Sequence, residues 1–152
     1  MSKNSDLFKI RDKIDSLDNQ ILSLLNDRAE LAIQAGQVKE DSIKYKPARE
    51  SSILKRVMDL NEGPLESEQV KNVFNEIISS CRSTESTFTI SYLGPEGTFS
   101  ESALQGQFGK SVDKIPEETI RSIFESVDRG DSDFGIVPIE NSTEGSVNST
   151  LD

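Results

Sequence analysis

Residues 10–39 read IRDKIDSLDNQILSLLNDRAELAIQAGQVK, and this stretch decides the fold of the first half of the chain. Together with Leu7 it places apolar side chains at Leu7, Ile10, Ile14, Leu17, Ile21, Leu24, Leu31, Ala35 and Val38. The gaps alternate between three and four, the heptad signature of one long helix packed along most of its length, from about Asp6 to Lys39. Arg28 stands on a seam position where a Leu would be expected. A cation there needs a negative partner, because an unpaired charge on a packed face is costly.

Three cations punctuate this helix: Arg11, Arg28 and Lys39. At roughly 100° per residue, Arg28 and Lys39 return to within about 20° of one face, separated by ~16 Å along the axis. Two long side chains leaning inward close much of that gap. Arg11 and Arg28 lie about 25 Å apart and roughly 100° around the axis, too far for one small ligand. If Arg11 serves the same kind of site, it comes from a second subunit packed antiparallel. The pattern therefore predicts a homodimer through helix one.

The composition narrows the ligand. The 152 residues carry a net charge of -10, with no histidine and one cysteine, Cys81. The global field disfavours nucleic acid and anionic membranes as partners. An anionic ligand must be met by local basic groups. Without histidine, Ser-His-Asp triads and His-based acid/base chemistry are excluded. No segment resembles a signal peptide or a membrane span, and a single cysteine suits a cytoplasmic location.

After helix one, Ser42–Pro47 reads as a loop with Pro47 opening a second helix over about Ala48 to Leu60, its apolar face Ile53, Leu54, Val57 and Leu60. Asn61-Glu62-Gly63-Pro64 breaks it. A third helix starts at Ser67 as N-cap, with Val70, Val73, Phe74, Ile77, Ile78 and Cys81 on one face. That stripe continues to Glu85. A desolvated carboxyl favours its neutral form, which donates a hydrogen bond to an ether or carbonyl oxygen. Arg49-Glu50 at the start of helix two forms a further candidate polar site, with Glu50 favourably placed near a helix N-terminus.

The character changes near residues 83–89. Phe88–Leu93 reads as a strand, Gly94-Pro95-Glu96-Gly97 as a tight loop, and Thr98 to about Phe108 as a helix. Val112–Ile115 is a short strand, Glu117–Arg129 a helix, and Phe134–Pro138 another strand. The alternation predicts parallel strands with crossover helices. Three strands make a thin core, so this region is expected to be the incomplete start of a larger domain. Thr98 and Ser100 can cap the first of its helices, whose free N–H groups favour an anion. Each pattern of the helical part alone is ordinary in a structural role; their joint order over eighty residues is not.

The runs IRDKIDSLDNQILSLLNDRAELAIQAGQVK, KPARE and FNEIISSCRSTE resemble the all-helical chorismate mutase domain. The resemblance covers about residues 6–86 and implies a three-helix, intertwined homodimer. It implies that Arg28, Lys39, Arg49 and the partner's Arg11 bind the two carboxylates and ether oxygen of chorismate. Glu50 would hold the substrate hydroxyl, and Glu85 would donate to the ether oxygen. Lys46 stands where some members have Asp, in a largely backbone role. Cys81 replaces a Ser seen in some members, which weakens or removes a hydroxyl contact. The reaction implied is the Claisen-type rearrangement of chorismate to prephenate, which needs no nucleophile, metal or cofactor.

YLGPEGTFSESA and GIVPIENSTEGSV, about forty residues apart, resemble the opening of a prephenate dehydratase domain, which has a periplasmic-binding-protein-like α/β fold. That resemblance implies a prephenate site lined by Thr98, Ser100, Glu140, Asn141, Ser142 and Gly145. The family's later Thr-Arg-containing catalytic segment is not among these residues, so dehydratase activity is expected only of a longer parent. The reading is therefore two units, 1–86 and 87–152, of a bifunctional arrangement in L-phenylalanine biosynthesis. The alternative is a non-catalytic helical dimerisation or regulatory module that binds an aromatic-pathway acid, leaving only a full-length dehydratase active.

Overall fold

The computed structural model describes residues 3–38, 46–85, 87–141, 145–146 and 150, with backbone alone at 141, 145 and 146. Lys39 and Ser142 lie outside the described residues. Three helices come first: α1 (Lys3–Val38), α2 (Pro47–Leu60) and α3 (Ser67–Ser83). A small α/β unit follows: β1 (Thr89–Leu93), α4 (Phe99–Phe108), β2 (Asp113–Glu117), α5 (Ile120–Asp128) and β3 (Phe134–Ile136). The short strands β4 (Glu140–Asn141) and β5 (Gly145–Ser146) pair antiparallel.

The heptad reading of α1 holds for its 36 residues, a rod of about 54 Å. Its seam is not covered within the chain. No α1 residue is buried, and Leu7, Ile10, Ile14, Leu17, Ile21, Leu24 and Leu31 are between 44% and 66% exposed. Among the described residues α1 packs chiefly against α3, while α3 also packs against α2. The expected stripes are partly buried. Ile53, Val70, Ile78 and Cys81 are in the core, whereas Leu60 and Val73 are exposed.

Pro47 opens α2 as expected, since its missing N–H is one that a first helical turn leaves unpaired. The N-cap of α3 is Glu66 rather than Ser67. The Glu66 carboxylate accepts from the backbone N–H of Gln69, and the Gln69 side chain accepts from the Glu66 N–H at 2.9 Å. That reciprocal pair outcompetes a serine one residue later.

The sheet is parallel, in the order β2-β1-β3, with α4 and α5 as the crossovers. Successive β1 residues point to opposite faces. Ile90 and Tyr92 pack with Leu104 and Phe108 of α4, together with Phe88 and Val112. Ser91 points the other way, 3.0 Å from Ser132, which donates to Ser126 of α5 at 3.2 Å. Gly135 lets α5 approach closely, since a Cβ there would lie 2.6 Å from an Ile123 methyl. β2 runs past its expected end at Ile115, through Pro116 to Glu117. It is an edge strand, where proline's missing donor is tolerated. α5 consequently begins at Ile120, capped by Thr119, rather than at Glu117.

The two units are joined through α3 and α4. Asn75 Nδ2 donates to the Gly106 carbonyl at 3.0 Å, and Arg82 Nη2 donates to the Phe108 carbonyl at 2.8 Å. These are carbonyls that the last turn of α4 cannot satisfy internally. Gly109 ends α4 with φ +74, and its Cα faces Ser79 so closely that a Cβ would lie 2.4 Å from the serine Cβ. Only glycine fits both demands.

Candidate functional site

The helical residues singled out by sequence fall at two contacts: Glu85 lies against α1 at Gly36, and Glu50, at the start of α2, lies against Arg82 of α3. Arg28 is half-buried on α1. Eight positions on, Gly36 abuts Glu85: a Cβ at Gly36 would lie 2.6 Å from Glu85 Oε2 and 2.7 Å from its Cδ. The carboxyl of Glu85 therefore rests directly on the α1 backbone, two turns beyond Arg28. α3 ends at Ser83, so Glu85 occupies the following turn, half-buried instead of deep on the apolar stripe. Cys81 is buried and lines an open groove of about 660 Å³ between α1 and α3. Leu25, Ala29, Val73 and Ile77 make that groove mostly apolar.

Glu50 lies in the first turn of α2 and is mostly buried. Its N–H donates to the Lys46 carbonyl at 3.0 Å, so the backbone of Lys46 fixes the turn that carries Glu50. Its carboxylate accepts from Arg82 Nη1. The guanidinium also sits 5.3 Å above the Phe88 ring. Arg82 is 7% exposed, so this is a buried ion pair, and deleting one partner would cost about 3–5 kcal/mol. Sequence reasoning missed Arg82 because it follows the apolar stripe of α3 rather than lying on it. A signal was there: Asn75, Ser79 and Arg82, at spacings of four and three, form a polar stripe facing α4. Arg11 and Arg49 are exposed.

A second cluster lies at the carboxyl ends of β1 and β3. Thr98 and Ser100 line a hollow of about 280 Å³ with Leu93, Gly94, Phe99, Ile120 and Pro138. Thr98 is the N-cap of α4 by position, but its hydroxyl donates to the Leu93 carbonyl at 3.3 Å instead of capping the helix. Glu101 accepts from the Gly97 N–H and pairs with Lys114. The Lys114 ammonium, then the Gly97 N–H, hold the Glu101 carboxyl below its ordinary range, and Glu101 in turn raises Lys114. Burial, then the charge of Glu101, push the Tyr92 phenol up. Glu140 is exposed on β4, Asn141 follows it, and Gly145 lies on β5 opposite Asn141. Among the described residues no group of three or more acidic or cysteine side chains is placed to hold a metal ion, and no helix is long and apolar enough to cross a membrane.

Two family models match the chain: chorismate mutase type II over residues 10–86, and prephenate dehydratase over residues 90–152. A relative from Stutzerimonas stutzeri, described as a bifunctional chorismate mutase/prephenate dehydratase, is 45% identical over all of this chain and 44% of its own length. Relatives of the same description from Pseudomonas aeruginosa and Aquifex aeolicus are 43% and 39% identical, over 100% and 97% of this chain and 44% and 42% of theirs. The chain thus spans less than half the length of these curated relatives.

Proposed function

Because the chain belongs to the chorismate mutase type II family over residues 10–86, we propose that its helical unit, 1–86, converts chorismate to prephenate. Residues 87–152 form the opening portion of a prephenate dehydratase unit, which in the whole protein turns prephenate into phenylpyruvate, water and CO2. The product of the first reaction is the substrate of the second, within L-phenylalanine biosynthesis. The single buried, free cysteine suits a cytosolic setting.

The observation that carries the mutase reading is the placement of Glu85 against α1 at Gly36. It brings a carboxyl from the turn after α3 to the helix that carries Arg28. Arg28, Lys39 and Arg49 hold the substrate's two carboxylates in the reactive conformer. Glu50 holds its hydroxyl, and Glu85, as the carboxylic acid, donates to the ether oxygen as the carbon–oxygen bond breaks and the new carbon–carbon bond forms. The rearrangement is unimolecular, so restraint and charge stabilisation are the whole of the catalysis. Lys46 contributes through its backbone and Cys81 through packing at the groove wall.

The site is completed by a second copy of the chain. The uncovered α1 seam and the apolar α1–α3 groove support this. Covering seven half-exposed Leu and Ile side chains returns about 1 kcal/mol each. An antiparallel partner helix also delivers the exposed Arg11 to the neighbouring pocket. In the second unit, Thr98, Ser100, Glu140, Asn141, Ser142 and Gly145 are the prephenate-facing set. Following chorismate absorbance with the purified chain tests the mutase assignment: turnover lost in Arg28→Ala supports it, and a folded but inactive unsubstituted chain contradicts it.

A further inference from the structure

Arg82 sits between the two units and touches both. Its Nη1 donates to Glu50, and its Nη2 donates to the Phe108 carbonyl at the end of α4. Its plane lies over Phe88, the residue just ahead of β1. A side chain only 7% exposed is thus held at three points, by a carboxylate, a helix C-terminus and an aromatic face. The negative end of the α4 dipole favours a cation at this place. The planar fork of arginine serves two acceptors in fixed geometry, which lysine cannot reproduce.

We infer that Arg82 is a positioning residue for Glu50, and that through it the α/β unit forms part of the scaffold of the mutase site. The inference rests on the mutase reading above. Glu50 has two carboxylate oxygens. Arg82 engages Oε1, which orients Oε2 for the substrate hydroxyl. Because Arg82 is itself anchored on Phe108, the position of Glu50 depends on residues beyond the helical unit. The nearby Asn75–Gly106 bond ties the same helices together without touching Glu50, and so provides an internal control.

The experiment is steady-state kinetics of chorismate conversion by the full chain and its Arg82→Met, Arg82→Lys, Asn75→Ala and Glu50→Gln variants. The folded fraction of each is measured by circular dichroism. The expected result is a KM raised about tenfold in Arg82→Met, with Arg82→Lys recovering only part of it. Adding Glu50→Gln to Arg82→Met should change KM by less than about twofold further, since both act through one contact. Asn75→Ala should keep the original KM. If Arg82→Met fails to fold, the Arg82→Met/Glu50→Gln pair, which buries no unpaired charge, takes its place and should match Glu50→Gln in KM. An unchanged KM per folded molecule in Arg82→Met overturns the inference and leaves the mutase reading intact. An equal change in Asn75→Ala also overturns it, as does full recovery by lysine. An unsubstituted chain without turnover removes the premise and the inference with it.

Discussion

Replacing Gly36 with alanine separates stability from catalysis in opposite directions. Gly36 lies within α1, so an added methyl removes the conformational penalty of glycine and stabilises the helix by about 0.5–1 kcal/mol. That Cβ would lie 2.6 Å from Glu85 Oε2, where ordinary contact begins at 3.4 Å. The carboxyl must retreat by about 0.8 Å, and as the end of a flexible side chain it can do so cheaply. The cost falls on chemistry. A donor displaced by that much loses most of a hydrogen bond that strengthens as charge builds on the ether oxygen, about 1.5–3 kcal/mol. That corresponds to a fall in kcat of about 10- to 150-fold. Thermal melting and the chorismate absorbance assay on the same preparation read both effects. A melting temperature raised by a few degrees with kcat strongly reduced is expected. A Gly36→Ala chain with a raised melting temperature and full kcat would refute the role given to Glu85.

Two further perturbations probe other parts of the account. Leu17 is 55% exposed on the α1 seam, so Leu17→Asp leaves the monomer's interior untouched but places a carboxylate at the proposed dimer contact twice over. The dissociation constant should rise at least about 100-fold by sedimentation, with turnover falling in parallel on dilution; an unchanged assembly state contradicts the α1 interface. Glu101 has its carboxyl lowered by Lys114 and Gly97 from an ordinary value of 4.5, so its stabilisation is complete above that pH and is lost as pH falls through the lowered folded-state value. Lys114 and Tyr92 are raised, so their contributions are complete below about pH 10 and fade as pH rises through their folded-state values. Glu101→Gln should flatten the acid limb of a melting-temperature profile. An acid limb identical to that of the unsubstituted chain would count against the pairing.

The long helix was legible because a three–four alternation sustained over thirty residues has one structural solution. What covers that seam was not legible as packing within the chain, since three helices are too few to enclose it, and α1 stays uncovered in the monomer. The parallel order of β1, β2 and β3 followed from the alternation of strand and helix, but the end of β2 did not. Pro116 reads as a breaker unless the strand is known to be at an edge. Glu66 was passed over as an N-cap because a serine follows it, and only the reciprocal bonds with Gln69 decide between them. Arg28, Lys39 and Glu85 stood out by their helical spacing, and the contact of Glu85 with α1 at Gly36 is something that spacing within one helix does not reveal. Arg82 escaped because its partners, Glu50 and the Phe108 carbonyl, are 32 and 26 residues away in sequence, and the polar stripe it shares with Asn75 and Ser79 does not say what it faces.

The central claim is a site shared between two chains, and mixing two inactive variants tests it most directly. Arg11→Ala and Arg28→Ala should each abolish most turnover of chorismate. In a dimer whose pockets take Arg28 from one chain and Arg11 from the other, a mixed pair carries one pocket with both lesions and one with none. Equal mixing with subunit exchange should therefore restore about a quarter of the unsubstituted activity. No recovery beyond the sum of the two variants, with exchange verified, would contradict the account.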